Sequence, residues 1–257
     1  MYKILYPLAL FFKKSKNLSA LACHLSKLTG KSKYQIHPKH LVYDEKPWYL
    51  SNIQKNDVIL DLGCGNGQHS LKVAKKCNKV IGLDYNKKQL EIAKNTAKDQ
   101  KIKNIQFKNF NAEKKITFKS NFFNKVLCLD VLEHINNRKQ LLLEIRRVLK
   151  PKGVLFITAP NKQTAWKKLQ KKAGLNYYSD PDHKIEYSLA EIENILLDSG
   201  FKILSVRPII YDTPFIGFID LLGGFSLKLY KKINLKEKKK VRYNLANSTG
   251  FRLKVKK

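Results

Sequence analysis

Two aspartates and a cluster of glycines are the first residues whose types and spacing suggest chemistry. Val58-Ile59-Leu60-Asp61-Leu62-Gly63-Cys64-Gly65-Asn66-Gly67 reads as an apolar strand running into a glycine-rich turn that opens a helix. Gly63 and Gly65 let the backbone turn sharply and approach a ligand with no Cβ in the way, while the helix start presents free N–H groups. Asp84 closes the next apolar run, 23 residues beyond Asp61, where a strand-helix-strand unit delivers a carboxylate able to accept both hydroxyl hydrogens of a ribose. The dinucleotide fingerprint G-x-G-x-x-G would need its third glycine at 68, but the chain has Gln68 there and Gly67 one position earlier. Asp61 argues further against NAD, because a carboxylate so close repels a pyrophosphate and attracts a cationic amino group. The bland alternative for both aspartates is solvation of strand ends.

A second group follows the fourth apolar run: Asp130, Glu133 and His134, with His183 further on in Tyr177-Tyr178-Ser179-Asp180-Pro181-Asp182-His183-Lys184. Asp130, His134 and His183 are the candidates for removing an acceptor proton, and histidine suits the task because its reference pKa lies near neutrality. Helix-start capping and loop anchoring are the competing readings of Glu133 and His134.

The elements that must position these groups are short β-branched runs alternating with lysine-studded helical stretches, the pattern of βαβ units around a buried parallel sheet. Strands are predicted at Val58 to Leu62, Val80 to Asp84, Ile105 to Lys108, Lys125 to Leu129, Val154 to Thr158 and Lys202 to Val206. Helices are predicted at Gln68 to Cys77, Lys87 to Ala97, Arg138 to Leu149 and Leu189 to Asp198, the last opened by the capping-box pair Ser188 and Glu191. Thr249 to Val255 alternates like one further strand. The fold class is therefore α/β, a Rossmann-like doubly wound sheet. Ahead of it, Leu18, Leu21, Leu25 and Leu28 recur at helical spacing, whereas Ile36 to Leu41 and Lys46 to Leu50 read as extended or turn-rich chain because each contains a proline.

Taken together, the ordered blocks DLGCGNG (61–67), GLD (82–84), NAE (111–113), LDVLEHI (129–135) and RRVLKPKGVLFITAPN (146–161) resemble the class I S-adenosylmethionine-dependent methyltransferases of the type 11-like group. The resemblance covers about residues 57–208. It implies a seven-stranded sheet whose last strand is antiparallel, and S-adenosylmethionine as cofactor. It implies cofactor contacts at Asp61, Gly63, Cys64, Gly65 and Gly67 for the methionine end, Asp84 for the ribose with its neighbour Tyr85, and Asn111, Ala112 and Glu113 beside the adenine. Asp130 is counted with both the cofactor and the catalytic residues. Asn111 stands where this family often has Asp, and its amide oxygen can still accept from the adenine amino group. Asp130-Val131-Leu132-Glu133-His134 is also similar to the carboxylate-x-x-Glu-His cluster of ubiquinone-pathway O-methyltransferases, where the similar residues bind a divalent ion. Asp130 replaces the Glu usual there, and no resident metal is assigned.

The domain expectation is an N-terminal helical or extended segment over 1–56 and a methyltransferase domain over 57–257, with acceptor-cap insertions at about 161–187 and 208–248. These insertions exceed what connections require. Trp166, Tyr177, Tyr178, Tyr187, Tyr211, Phe215, Phe218 and Phe225 either line an apolar acceptor chamber or pack as ordinary core. In-line methyl transfer from a sulfonium needs alignment, a dry pocket and, for a hydroxyl acceptor, a base. The expected activity is methylation of a small-molecule or lipid-like acceptor, at oxygen.

Composition bears on partners. The chain of 257 residues carries 51 Lys+Arg against 20 Asp+Glu, a net charge of +31, which suits a polyanion or an anionic membrane. Only six of the basic residues are Arg (138, 146, 147, 207, 242 and 252), whereas nucleic-acid surfaces favour Arg forks. Nucleic acid is the less favoured partner, and an RNA methyltransferase or a non-catalytic S-adenosylmethionine-binding subunit are the alternatives kept open. Apolar residues 215–225 followed by lysine clusters suit either a buried lid beneath a soluble lysine coat or peripheral contact with anionic lipid. Four cysteines without a C-x-x-C pair suggest neither disulfides nor structural zinc. The apolar run Ile4 to Phe12 is interrupted by Pro7 and followed by Lys13, Lys14 and Lys16, unlike an export signal. A cytoplasmic location, either free or peripheral to the inner membrane face, is the expectation.

Overall fold

A computed structural model describes residues 2–15, 17–42, 47–242 and 244–257, with side chains from Tyr6 onward. Lys46, within one of the stretches predicted as extended, lies outside the described residues. In chain order the elements are α1 (Tyr2–Ser15), α2 (Leu18–Leu28), α3 (Pro38–Leu41), β1 (Val58–Leu62), α4 (Gln68–Ala74), β2 (Lys79–Asp84), α5 (Lys87–Asp99) and β3 (Ile105–Asn109). Then come β4 (Phe123–Cys128), α6 (Arg138–Val148), β5 (Leu149–Pro160), α7 (Ala165–Lys172), α8 (Leu189–Asp198), β6 (Lys202–Pro208), α9 (Ile216–Phe225), α10 (Leu227–Lys240) and β7 (Gly250–Lys256).

The strands form one seven-stranded sheet in the order β3-β2-β1-β4-β5-β7-β6, with β7 antiparallel and helices on both faces. β1 is central and pairs in parallel with β2 (Asp61 opposite Gly82) and β4 (Asp61 opposite Leu127). It is buried almost throughout, as a strand covered on both faces must be. The order reverses between β1 and β4, and ligands of such sheets bind at the carboxyl ends of the strands beside that switch point.

Helix boundaries follow identifiable hydrogen bonds. The Oδ1 atoms of Asn86 and Asn137 accept from the N–H groups of Gln89 and Gln140 and cap α5 and α6. The expected capping box of Ser188 and Glu191 opens α8. α4 ends at Ala74 rather than at Cys77. The Asn104 side-chain amide donates to the carbonyls of Ala74 (2.8 Å) and Cys77 (3.0 Å), satisfying acceptors that a helix end leaves open. In the stretch Ile36 to Leu41, expected to be extended or turn-rich, His37 before the proline is extended, and Pro38 opens the single helical turn α3, where a missing N–H costs nothing.

The chain divides into two compact units. The first comprises residues 1–45, 161–181 and 208–250, and the second 46–160, 182–207 and 251–257. In the second, Ile59, Val73, Val80, Leu127 and Phe156 pack with Tyr49 on one side of the sheet, and Cys64, Leu71, Leu90, Ala93 and Phe107 form another cluster. The first is helical and is held partly by Ala9, Trp166 and Ala173 with Phe12 against them. Of the expected aromatic set, Trp166 and Tyr187 are buried, but Phe215, Phe218 and Phe225 are exposed and so are not core. Among the described residues no helix is long and apolar enough to cross a membrane.

Candidate functional site

The glycine turn and the second strand meet. The Gly63 and Cys64 N–H groups both donate to the Leu83 carbonyl, at 2.7 and 3.0 Å, and the Gly65 N–H donates to Asp84 Oδ2 at 2.8 Å. Asp84 Oδ1 accepts from the Asn86 N–H at 2.8 Å. One carboxylate thus ties the turn to the start of α5, and each of its oxygens keeps lone-pair capacity for a further donor. Gly63 and Gly65 both have positive φ, 71° and 51°. A Cβ on Gly63 would lie 2.3 Å from Val131 Cγ2, whereas one on Gly65 would meet nothing within 4 Å. The turn is therefore closed on the protein side at Gly63 and open at Gly65. The Cys64 side chain is core, buried with Leu71, Leu90 and Phe107, so it offers this turn its backbone only.

Asp61 is buried and accepts from Ser70 Oγ at 2.5 Å. Burial pushes its carboxyl up to about 7, with the charge of Asp84 adding to the rise and the Ser70 hydrogen bond opposing it. Beyond Asp84, Tyr85 is 77% exposed. Asn109, which the sequence reading passed over, holds this corner by donating to the Asp84 and Tyr85 carbonyls at 3.1 and 2.8 Å.

The 111–113 segment is a local turn. Asn111 Oδ1 accepts from the Glu113 N–H at 2.9 Å, which leaves it one further lone pair. Ala112 is half-buried between them. Glu113 Oε1 accepts from the Asn136 N–H at 2.8 Å, and that bond leads the causes holding its carboxyl below the usual range.

After β4 the chain takes a left-handed step at Asp130, φ 56°, a conformation that costs a non-glycine residue about 1–3 kcal/mol. Thr158 on β5 holds it there. The Thr158 hydroxyl accepts from the Asp130 N–H and donates to Asp130 Oδ1, both at 2.7 Å. A short turn of 3-10 helix, Leu132–His134, follows. His183, distant in sequence, joins it: the His134 and His183 rings lie 4.9 Å apart edge to face, and the Lys184 N–H donates to the Glu133 carbonyl at 2.9 Å. His183 Nδ1 lies 3.0 Å from Glu186 Oε1, and its Nε2 lies 3.9 Å from Glu133 Oε1. Glu133 and Glu186 are both buried. Glu133, His134 and His183 bring ligand atoms within 4.8 Å of one another, a set able to hold a metal ion. Asp130, included in the carboxylate-x-x-Glu-His pattern, is not in that set and turns to Thr158 instead. Thr158, Glu186 and Ser70 were missed because nothing local in the sequence marks their partners.

A doubly wound sheet with an open glycine turn, an acid at each of two adjacent strand ends and a polar cluster after β4 is that of an α/β protein that binds its ligand at the carboxyl edge of the sheet. The chain belongs to the methyltransferase-domain family, whose profile it matches over residues 53–240. It is an S-adenosylmethionine-dependent methyltransferase enzyme. Among curated proteins it is 28% identical over 187 residues to a ubiquinone biosynthesis O-methyltransferase of Pelagibacter ubique, covering 63% of this chain and 75% of that one. It is 30% identical over 138 residues to the protein of that name in Histophilus somni, covering 52% and 56% of the two chains. An uncharacterized protein of Methanocaldococcus jannaschii is 34% identical over 173 residues, 64% of each chain. The match thus spans less than two thirds of the latter two relatives. Among solved structures, the [4+2]-cyclase SpnF superposes with a TM-score of 0.60 at 21% identity, over 81% of this chain and 79% of that one. A methyltransferase from Methanosarcina mazei superposes with a TM-score of 0.58 at 21% identity, over 83% and 98%. These likenesses establish the fold, and the presence of a cyclase among them shows why the acceptor is not read from topology.

Proposed function

We propose that the enzyme transfers a methyl group in line from S-adenosylmethionine to an oxygen of a small-molecule or lipid-like acceptor. Bound S-adenosylmethionine supplies an electrophilic methyl group on a sulfonium. Asp61 draws its amine toward the turn, and the backbone of Gly63, Cys64, Gly65 and Gly67 carries the methionine end. Asp84 accepts from the ribose hydroxyls, while Tyr85, Asn111, Ala112 and Glu113 border the adenine. The observation that carries the cofactor assignment is the Gly65 N–H on Asp84 Oδ2 at 2.8 Å beside the open face of Gly65, which joins two independently inferred residues in one place.

On the acceptor side, Asp130 orients the donor and acceptor ends, and His134 or His183 removes the acceptor proton. Support comes from the meeting of the two imidazoles, with Glu186 fixing the His183 ring through Nδ1. In the alternative case that Glu133, His134 and His183 hold a divalent ion, the ion would ease ionisation of a hydroxyl acceptor and the two imidazoles, as ligands, would not serve as the base. The insertions over 161–187 and 208–248 leave the sheet after β5 and β6, on which ground they are assigned to the acceptor cap. The names of two relatives, ubiquinone biosynthesis O-methyltransferases, support a phenolic or quinol acceptor with an apolar tail.

The test is methyl transfer from isotopically labelled S-adenosylmethionine to a panel of phenols, catechols and tailed quinols, with His134→Ala and His183→Ala. Loss of a general base should lower kcat about 10²–10⁴-fold while cofactor affinity stays at the parent value. If both variants turn over every accepted phenol at the parent rate, the histidines are not the base.

A further inference from the structure

The helix α9 is built inside out for a protein surface in water. Phe215, immediately before it, and Phe218, Leu222 and Phe225 within it recur at spacings of three and four, so they share one face, and all four are exposed, Phe215 and Phe225 by more than half. The opposite face, Gly217, Asp220, Gly223 and Gly224, is buried. Asp220 is satisfied there. It accepts from Ser19 Oγ at 2.6 Å and from the Tyr230 hydroxyl at 3.1 Å, and His37 Nε2 lies 3.2 Å away. The glycines let neighbours close in: a Cβ on Gly223 would lie 2.7 Å from Pro38 Cβ, and one on Gly224 would lie 2.7 Å from Leu25 Cβ. The buried polar network and close packing fix which face points out, so the phenylalanines are not displaced core residues.

The apolar face extends onto α1. Phe11, 57% exposed, has its ring centroid 6.3 Å from that of Phe218. Phe12 anchors the join, packing edge to face on both Phe215 (5.0 Å) and Trp166 (5.9 Å). The charge around this face has one sign. The helices α1, α2, α9 and α10 carry eleven lysines and two acids. Of the acids, Asp220 is buried and Glu237 is paired with Lys240 at 2.7 Å. Lys13 and Lys14 follow the α1 phenylalanines directly, and Lys228, Lys231 and Lys232 follow Phe225. The whole unit formed by 1–45, 161–181 and 208–250 has 21 Lys and Arg against six Asp and Glu, a net +15.

We propose that the outer face of α9 with the adjoining face of α1 is a docking surface for an anionic lipid bilayer, the aromatic stripe inserting between headgroups and the lysines meeting their phosphates. Exposed phenylalanines framed by lysines match an interfacial helix, whereas a second copy of this chain would bring its own lysines against these and be repelled. The helix α9 lies within the 208–248 insertion assigned above to the acceptor cap, but the proposal uses none of the residues assigned to the cofactor or to proton removal.

The test is sedimentation of the full chain with phosphatidylcholine vesicles prepared with and without phosphatidylglycerol. The parent should pellet with the anionic vesicles and stay in solution with the neutral ones. Phe218→Ser/Phe225→Ser should weaken binding at least about tenfold, and Lys228→Gln/Lys232→Gln should make it more readily reversed by salt. Unchanged melting temperature and S-adenosylmethionine affinity establish that the variants fold. A Phe225→Trp variant adds a direct readout, stronger fluorescence quenching by brominated phosphatidylglycerol than the parent shows. The proposal is overturned if the parent ignores anionic vesicles, or if the phenylalanine variant binds them as the parent does. It is equally overturned if the parent is a dimer in the ultracentrifuge that Phe218→Ser/Phe225→Ser makes monomeric.

Discussion

If Asp61 receives the cofactor's amine as proposed, cofactor affinity depends on pH with a sign and size that follow from the Asp61 side chain. Its carboxyl is raised by burial to about 7, against about 3.9 in an unfolded chain. Between these values the folded protein holds a proton that the unfolded chain has lost. The contribution of Asp61 to stability therefore falls as pH rises from about 4 to about 7 and is level above that. The cofactor offers the ionised carboxylate a cationic amine, and a free α-amino group loses its proton at about 7.7–8.0. The pair is correctly charged only between the two values, so affinity should peak near about pH 7.4. It should fall about sixfold by pH 6 and about seventeenfold by pH 5.5. Calorimetric titration in buffers of different ionisation enthalpy measures both the affinity and the protons released, close to one per complex at about pH 6. Asp61→Asn should bind more weakly at neutral pH, lose the acidic limb and release no proton there. Ser70→Ala, which removes the hydrogen bond that opposes the rise, should move the acidic limb to higher pH. A parent affinity that is flat from pH 5.5 to 7.4, or an Asp61→Asn variant that keeps the limb, would refute the assignment of Asp61 to the amine.

Asp84→Ala removes the proposed ribose acceptor and also releases the Gly65 and Asn86 N–H groups. At about 1.5–3 kcal/mol per charge-assisted hydrogen bond, calorimetry should show S-adenosylmethionine affinity lowered by about 10² or more, and a variant within threefold of the parent would contradict the role. Thr158→Val keeps the side-chain shape but removes its hydrogen bonds with the Asp130 N–H and carboxylate. It should cost about 0.5–1.5 kcal/mol of stability, seen as a melting point lower by roughly 2–4 °C per kcal/mol, together with a lower kcat. Glu186→Ala withdraws the group that orients His183. It should reduce kcat and alter its pH profile while leaving cofactor affinity unchanged, whereas a purely structural role would lower the melting point and leave the pH profile in place.

Much of the sheet was legible because its signals are local. β1 appears at its predicted residues, Val58–Leu62, and α8 at Leu189–Asp198 behind its capping box, since an apolar run bounded by a glycine turn or a cap carries its own instructions. The helical spacing of Leu18 to Leu28 likewise marked α2. The helices α9 and α10 were not recognised, because α9 is apolar on one face and glycine-rich on the other, with its one acid among the glycines. Such a pattern shows no polar face to orient it. Pro38 kept His37 extended, as expected, but the short helical turn α3 that follows it was not recognised, because a proline at the first helical position starts a helix as readily as a proline inside one breaks it.

By itself the sequence determined the strand-turn-helix at 58–74 and the acid at the end of the second strand, and through these the class of ligand. Turn chemistry and apolar runs act over a few residues, so they can be read without a fold. Tertiary structure alone decided that Asp84 binds the Gly65 N–H, that Thr158 holds Asp130 in a left-handed step and that Glu186 and Glu133 flank His183. It also decided that the phenylalanines of α9 face outward. Each of these joins residues that the chain separates, or chooses between two faces of one helix. That choice is made by what packs against the helix: Pro38 and Leu25 approach where only glycine leaves room.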